Sequence, residues 1–236
     1  MSVFTRAIEV DVHDIDFNGV AKASSIMRYM QATAQLQLTA NGMTYEALYG
    51  MKKAFILSKI RIEINESLRA YERLTATTFP CESRGYSFLR CYGIERNGAR
   101  VARAASVWAL VDVETHGLVK VDDFDLGLAL HEPLDLTPSR FRLPSELKEV
   151  GYYKVGYGVT DQNKHMNNTA YPDMYSSFLP LEGARIKSLT INYLNEAPIG
   201  ENLKVLRAVA DSKYYFRTIR SDGKINSEAE IEITVI

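Results

Sequence analysis

Polar and apolar positions alternate along most of this chain, and one long stretch repeats every three to four residues instead. Val3 to Val12 alternates and predicts a strand. The turn-rich segment Asp14-Ile15-Asp16-Phe17-Asn18-Gly19 follows, and then a helix starting at Ser24 or Ser25, either of which can cap it, and running to about Ala40. Asn41-Gly42 supplies the helix stop. Ile26, Tyr29, Met30, Thr33 and Ala34 fall at helical spacing, so this helix should lie against a sheet. Thr44 to Gly50 predicts one more short helix. Strands are expected at Phe55 to Ile64, Leu74 to Phe79, Tyr86 to Ile94 and Val101 to Val113. The last two flank Asn97-Gly98, a hairpin signal because both residues tolerate positive φ. One helix followed by several antiparallel strands is an α+β plan.

Residues 114 to about 150 interrupt it. Pro133, Pro138 and Pro144 lie there among charged and small residues, as expected of an ordered connection between domains with a few strand residues hidden in it. The plan then restarts. Lys154 to Val159 alternates like a strand, Asp161 to Asn168 is turn-rich, and Ala170 to Phe178 can be a helix stopped by Pro180. Strands are expected at Ser188 to Leu194, Asn202 to Ala210, Lys213 to Arg220 and Ile225 to Ile236, with Asp222-Gly223 between the last two. Asp14, Asp16 and Asn18 align without a gap to Asp161, Asn163 and His165. Together with the repeated element order, this points to two similar domains.

The length of 236 residues suits two domains of about 110 to 120 residues. A net charge of -1 gives no overall electrostatic case for nucleic acid or an anionic membrane, although an acidic protein partner would need only a local basic patch. The two cysteines, Cys81 and Cys91, are too few for a disulfide framework and have no zinc-ligand spacing around them. They read as reduced thiols of a cytoplasmic protein. The N-terminus lacks a signal-peptide layout, and no apolar run approaches the roughly 18 residues of a membrane span. No phosphate loop, dinucleotide fingerprint or Gly-x-Ser-x-Gly elbow is present.

The stretch Asp161-Gln162-Asn163-Lys164-His165-Met166-Asn167-Asn168 carries the most chemistry. In an extended segment Asp161, Asn163 and His165 would share one face. An imidazole can move a proton near neutral pH, a carboxylate can fix its tautomer or act as base or nucleophile, and an amide can donate to an oxyanion. Free N–H groups at the helix start, Asn167 to Ala170, could add to that cradle. The plainer reading is that Asp and Asn merely form the turn, that Asn167 or Asn168 caps the helix, and that His165 is a surface residue. Glu196, before the Pro198 turn, is a second candidate and would activate water if it reached the His165 face; taken alone it reads as an exposed strand-end carboxylate. The first half has Asn65-Glu66-Ser67 at the corresponding strand end but no histidine in its turn.

The set Asp161-x-Asn163-x-His165-x-Asn167-Asn168 followed by Glu196 resembles the acyl–acyl carrier protein (ACP) thioesterase family of bacteria and plant plastids. Asp14-x-Asp16-x-Asn18-Gly19 and Trp108-x-x-x-Asp112-x-x-Thr115 extend the likeness over nearly the whole chain. The resemblance implies a tandem (double) hotdog with two long helices, each wrapped by antiparallel sheet. It implies residues 1–125 as an N-terminal domain shaping the acyl-chain pocket, 126–149 as the connection and 150–236 as the catalytic domain. The implied activity is hydrolysis of fatty acyl-ACP, releasing free fatty acid and ending chain elongation. Asp161, Asn163, His165 and Glu196 are the implied catalytic residues, acyl carrier protein the partner, and no metal or organic cofactor is expected; a monomer or homodimer fits equally. In one scheme His165 and Glu196 activate water, Asn163 and helix-start N–H groups hold the oxyanion, and Asp161 orients the network; in the other Asp161 attacks directly. Plant members carry a cysteine after the glutamate where this chain has Ala197, so a cysteine nucleophile is not expected. An acyl-CoA thioesterase of the same fold and a non-catalytic acyl-binding module are the alternatives.

Overall fold

A computed structural model describes residues 3–138 and 140–236. In the first half, β1 (Phe4–Glu9) leads through a 3-10 turn to α1 (Ala23–Ala40), α2 (Tyr45–Gly50), β2 (Lys53–Ile64), β3 (Arg73–Pro80), β4 (Phe88–Arg96) and β5 (Ala99–Asp112). After β6 (Leu118–Val119), the second half holds β7 (Lys148–Lys154), α3 (Tyr171–Ser176), β8 (Ala184–Tyr193), β9 (Asn202–Ala210), β10 (Lys213–Ile219) and β11 (Ile225–Val235).

All the strands join one antiparallel sheet in the order β1-β3-β4-β5-β2-β8-β11-β10-β9-β7, with β6 beside β5. Read inward from either edge, the two halves have the same order and meet at β2 and β8. There Ile60 pairs with Ile191 and Ile62 with Leu189, all four buried. The resulting core is continuous across the seam, running from Met30 and Ile94 on one side to Met174 and Phe216 on the other. The α+β tandem hotdog is thus present, with α1 packed against β1, β3 and β4 and α3 meeting β10 through Tyr175 and Phe216.

Helix α1 forms as its spacing requires: Ile26, Met27, Met30, Thr33 and Ala34 are buried on one face. Gly42 at φ 78° closes it, its N–H reaching Thr39 O. The start differs from expectation. Lys22 occupies the cap position; the Ser25 hydroxyl donates to Asp14 O instead, and Ser24 is fully buried. The second helix is short rather than long, six residues preceded by a 3-10 turn at Asn168–Ala170. After Ser176 the chain tightens into turns, Phe178 N donating to Tyr175 O and Leu179 N to Ser176 O, so the helix stops short of Pro180. The strand expected at Lys154 to Val159 lies earlier, at Lys148–Lys154, and Tyr157–Val159 is a 3-10 turn. Backbone pairing with β9 ends at Asn202, and Val155 then bonds to Glu201 O instead of continuing the ladder.

The connection wraps the first half. His131 N bonds to Pro80 O, and Leu136 buries beside Phe79, Cys81 and Cys91. The Trp108–Thr115 segment proves to be a turn lock: Asp112 Oδ1 accepts from Thr115 N at 2.9 Å and Glu114 N at 3.1 Å, and its Oδ2 meets Lys53 Nζ at 2.6 Å. Lys53, then the Thr115 N–H, hold the Asp112 carboxyl well below the usual carboxylate range. A depressed folded-state pKa contributes stability above the unfolded-chain value of about 3.9, lost as pH falls through the lower folded value. Asp112→Asn should therefore melt below the wild type at about pH 7, with the gap narrowing once pH drops under about 4. A pH-independent gap in thermal melts would rule this contribution out.

Candidate active site

The second turn is a tight hairpin rather than an extended strand. Lys164 sits at φ 62°, Asp161 N bonds to His165 O at 2.9 Å, and Lys164 N to Asp161 O at 3.0 Å. The shared face expected from strand alternation is therefore not how these side chains meet. The hairpin is pinned against the 196–199 turn: Met166 N donates to Ala197 O, Ile199 N to Lys164 O, and His165 bridges Pro198. That pinning brings the Glu196 carboxylate to the imidazole, with Oε2 3.3 Å from His165 Nδ1. An imidazole held at Nδ1 by a carboxylate has its Nε2 available for proton transfer.

Asp161 turns back on its own loop, Oδ1 accepting from Asn163 N at 2.8 Å. The Asn163 amide makes no hydrogen bond with the described residues and lines a cavity of about 540 Å³. Of the N–H groups from Asn167 to Ala170, three are taken: Asn167 N by Val159 O, Thr169 N by Asn167 Oδ1, and Ala170 N by Asn167 O. Asn168 N alone donates to nothing among the described residues. The helix-start cradle thus shrinks to one backbone group, and Asn167 is the cap residue.

Sequence reasoning missed the support behind this pair. Tyr171, buried beneath the turn, accepts from Asn226 Nδ2 at 3.0 Å. Burial, partly offset by that bond, then the charges of Glu196 and Asp161, push its hydroxyl up to about 12. Both carboxylates therefore act on one neutral phenol. Asn226 Nδ2 also holds Asn195 O, and Arg220 Nη1 donates to Glu196 O at 3.0 Å, fixing the backbone on either side of the glutamate. Asn226 and Arg220 lie in ordinary strand and turn sequence with no motif to mark them.

The cavity reaches from Asn163 into the first half. Gln31, Ala34 and Leu38 of α1, Phe55 and Phe88 of the sheet, and Phe124 after β6 line it. A second cavity, about 560 Å³, adjoins Asp16 of the first turn and Ser176 of α3; no histidine lines it. There Asn18, the counterpart of His165, is fully engaged: Nδ2 donates to Leu181 O at 2.6 Å and Ala184 O at 3.1 Å, and Oδ1 accepts from Gly183 N. Among the described residues no cluster of His, Cys, Asp and Glu is arranged to hold a metal ion, and no helix is long and apolar enough to cross a membrane.

Comparison with known proteins gives matches over both halves. The acyl-ACP thioesterase N-terminal domain family matches residues 1–125, and the C-terminal domain family residues 144–234. The chain is 23% identical over 231 residues to acyl-[acyl-carrier-protein] hydrolase FATB2, chloroplastic, of Cuphea viscosissima, covering 89% of this chain and 56% of that protein. It is 22% identical to the palmitoyl-acyl carrier protein thioesterase, chloroplastic, of Cuphea hookeriana, again over 89% of this chain and 55% of the relative. The chain thus spans little more than half the length of these curated relatives. In fold it is similar to an acyl-ACP thioesterase from Bacteroides thetaiotaomicron, with TM-score 0.90, 19% identity and 98% of each chain covered. It is also similar to the 12:0-ACP thioesterase of Umbellularia californica, with TM-score 0.85, 15% identity, and 99% and 98% of the two chains covered.

Proposed function

The chain belongs to the acyl-ACP thioesterase family, and from that premise we propose that it hydrolyses the thioester of fatty acyl-ACP to free fatty acid and the carrier thiol. The observation carrying this reading is the His165–Glu196 pair, its histidine on the same hairpin as Asn163, whose amide makes no hydrogen bond with the described residues and lines a largely apolar cavity. The acyl chain occupies that cavity, bringing the thioester carbonyl to the turn.

Water attacks the carbonyl carbon while His165 Nε2 takes its proton, and Glu196 at Nδ1 stabilises the imidazolium that forms. Asn163 and the Asn168 N–H donate to the tetrahedral oxyanion. Collapse breaks the C–S bond, and the imidazolium returns the proton to the leaving sulfur. Asp161 shapes the turn through the Asn163 N–H; that engaged Oδ1 favours orientation over direct attack. Cysteine takes no part in the scheme: Cys81 and Cys91 are buried in the first half, and the residue after Glu196 is the buried Ala197.

The division of labour proposed with this mechanism assigns residues 1–125 to the acyl pocket, 126–149 to the connection and 150–236 to catalysis. The repeated strand order and the α1 residues in the cavity wall support it. Thiol release from a chain-length panel of acyl-ACPs, run beside the matching acyl-CoAs, tests the reading. Faster turnover of the carrier substrates is expected. Equal or faster CoA ester cleavage would favour an acyl-CoA thioesterase, and no cleavage of any thioester would leave an acyl-binding module.

A further inference from the structure

We infer that Arg90 forms a polar subsite inside the acyl cavity, one that takes an acyl chain bearing a distal oxygen function, a carboxylate best of all. The inference rests on the thioesterase reading and specifies which acyl chains that site accepts.

Arg90 lies on β4, paired with Pro80 of β3 and Ser106 of β5, and its side chain lines the same cavity as Asn163. It is 7% exposed. A buried guanidinium normally faces a carboxylate, because an uncompensated charge in a desolvated setting is strongly unfavourable. None of the described residues supplies one: the titratable neighbours acting on it are Tyr92, Cys81 and Cys91. Nη1 is fixed by Gln37 Oε1 at 2.6 Å and Thr78 Oγ1 at 3.1 Å. Nε and Nη2 donate to nothing among the described residues. The group is therefore held in place with one edge unclaimed.

The surrounding wall is not hydrocarbon either. The Tyr92 hydroxyl meets Ser106 Oγ at 3.1 Å, and Trp108 Nε1 donates to the same oxygen at 2.7 Å. Gln31, also in the cavity wall, has a buried amide nitrogen with no partner. A saturated methyl-ended chain filling this space would leave the Arg90 Nε and Nη2 donors desolvated and unpaired. An oxygen acceptor satisfies them, and a carboxylate also supplies the missing counter-charge through charge-assisted bonds.

The test is kcat/KM for acyl-ACP series of matched length ending in methyl, hydroxyl or carboxylate, stepped from medium to long chains, with wild type, Arg90→Met and Arg90→Lys. At the best-fitting length the carboxylate-ended chain should exceed the methyl-ended one by about tenfold or more. Arg90→Met should invert that ratio and Arg90→Lys retain most of it. A wild type preferring methyl ends at every length, with a ratio unchanged in Arg90→Met, would overturn the subsite. Calorimetric binding of free dicarboxylic against monocarboxylic acids to the wild type gives a reading independent of turnover and of how the variants fold. Tighter diacid binding supports the subsite, and equal or weaker binding at all lengths rejects it. Absence of turnover on every ester would instead count against the thioesterase reading.

Discussion

His165→Ala should lower kcat by about 10²–10⁴ while leaving the fold intact. The imidazole is one-third exposed and Glu196 is its only polar side-chain partner among the described residues, so its removal opens no core cavity. The loss should appear in kcat more than in KM, because in the proposed scheme the acyl chain is held elsewhere, in the cavity lined by α1 and the first-half sheet. Glu196→Gln keeps the shape of the contact but removes the charge that stabilises the imidazolium, and should fall between wild type and His165→Ala. Steady-state thiol release measures both. Unchanged kcat in His165→Ala would end the assignment of this residue as the base; an equal loss in a variant with a lowered Tm would point to collapse of the turn instead.

The largest expected effect on stability is at Phe216. The ring is fully buried on β10 and stacks at 4.9 Å, tilted by 41°, against Tyr175 of α3. Tyr175 is itself buried, with its hydroxyl 2.7 Å from Ser227 Oγ. Phe216→Ala removes a whole ring from a site with polar bonds on the far side that resist collapse, and should cost about 3–5 kcal/mol. Denaturant unfolding checks this; a loss below about 1 kcal/mol would mean that α3 relaxes into the gap. Activity should fall as well, because α3 continues directly from the 3-10 turn at Asn168 that borders the reacting carbonyl in the proposed scheme.

Features governed by local backbone demands were legible in the sequence. Asn97 and Gly98 do adopt φ of 51° and 82° between β4 and β5, and Gly42 does close α1. The strands from Asn202 onward fall within a residue or two of expectation, because each alternates and ends at a turn residue. Tertiary competition hid the rest. The two serines at the head of α1 are drawn into packing, one bonded to Asp14 O, so the cap falls on Lys22. The left-handed turn at Lys164 cannot be foreseen from a lysine, yet it converts the segment carrying Asp161, Asn163 and His165 from strand to hairpin. Glu196 reaches His165 only because β8 returns the chain to the hairpin, a long-range pairing that motif likeness anticipated and residue spacing alone did not. Arg90 carries no local signal, since an arginine in an alternating strand reads as a surface residue until the cavity around it is seen.

The Asn18 brace has a kinetic meaning. The unit that the fold repeats could in principle host two reaction centres, but in the first copy the amide standing where the histidine would be is fully occupied in tethering the 181–184 loop of the second. In the proposed scheme one copy is the anchor and the other the worker. With no sister site to sense occupancy, a single chain should follow a simple hyperbolic dependence on substrate, and any sigmoidal response would have to originate between chains.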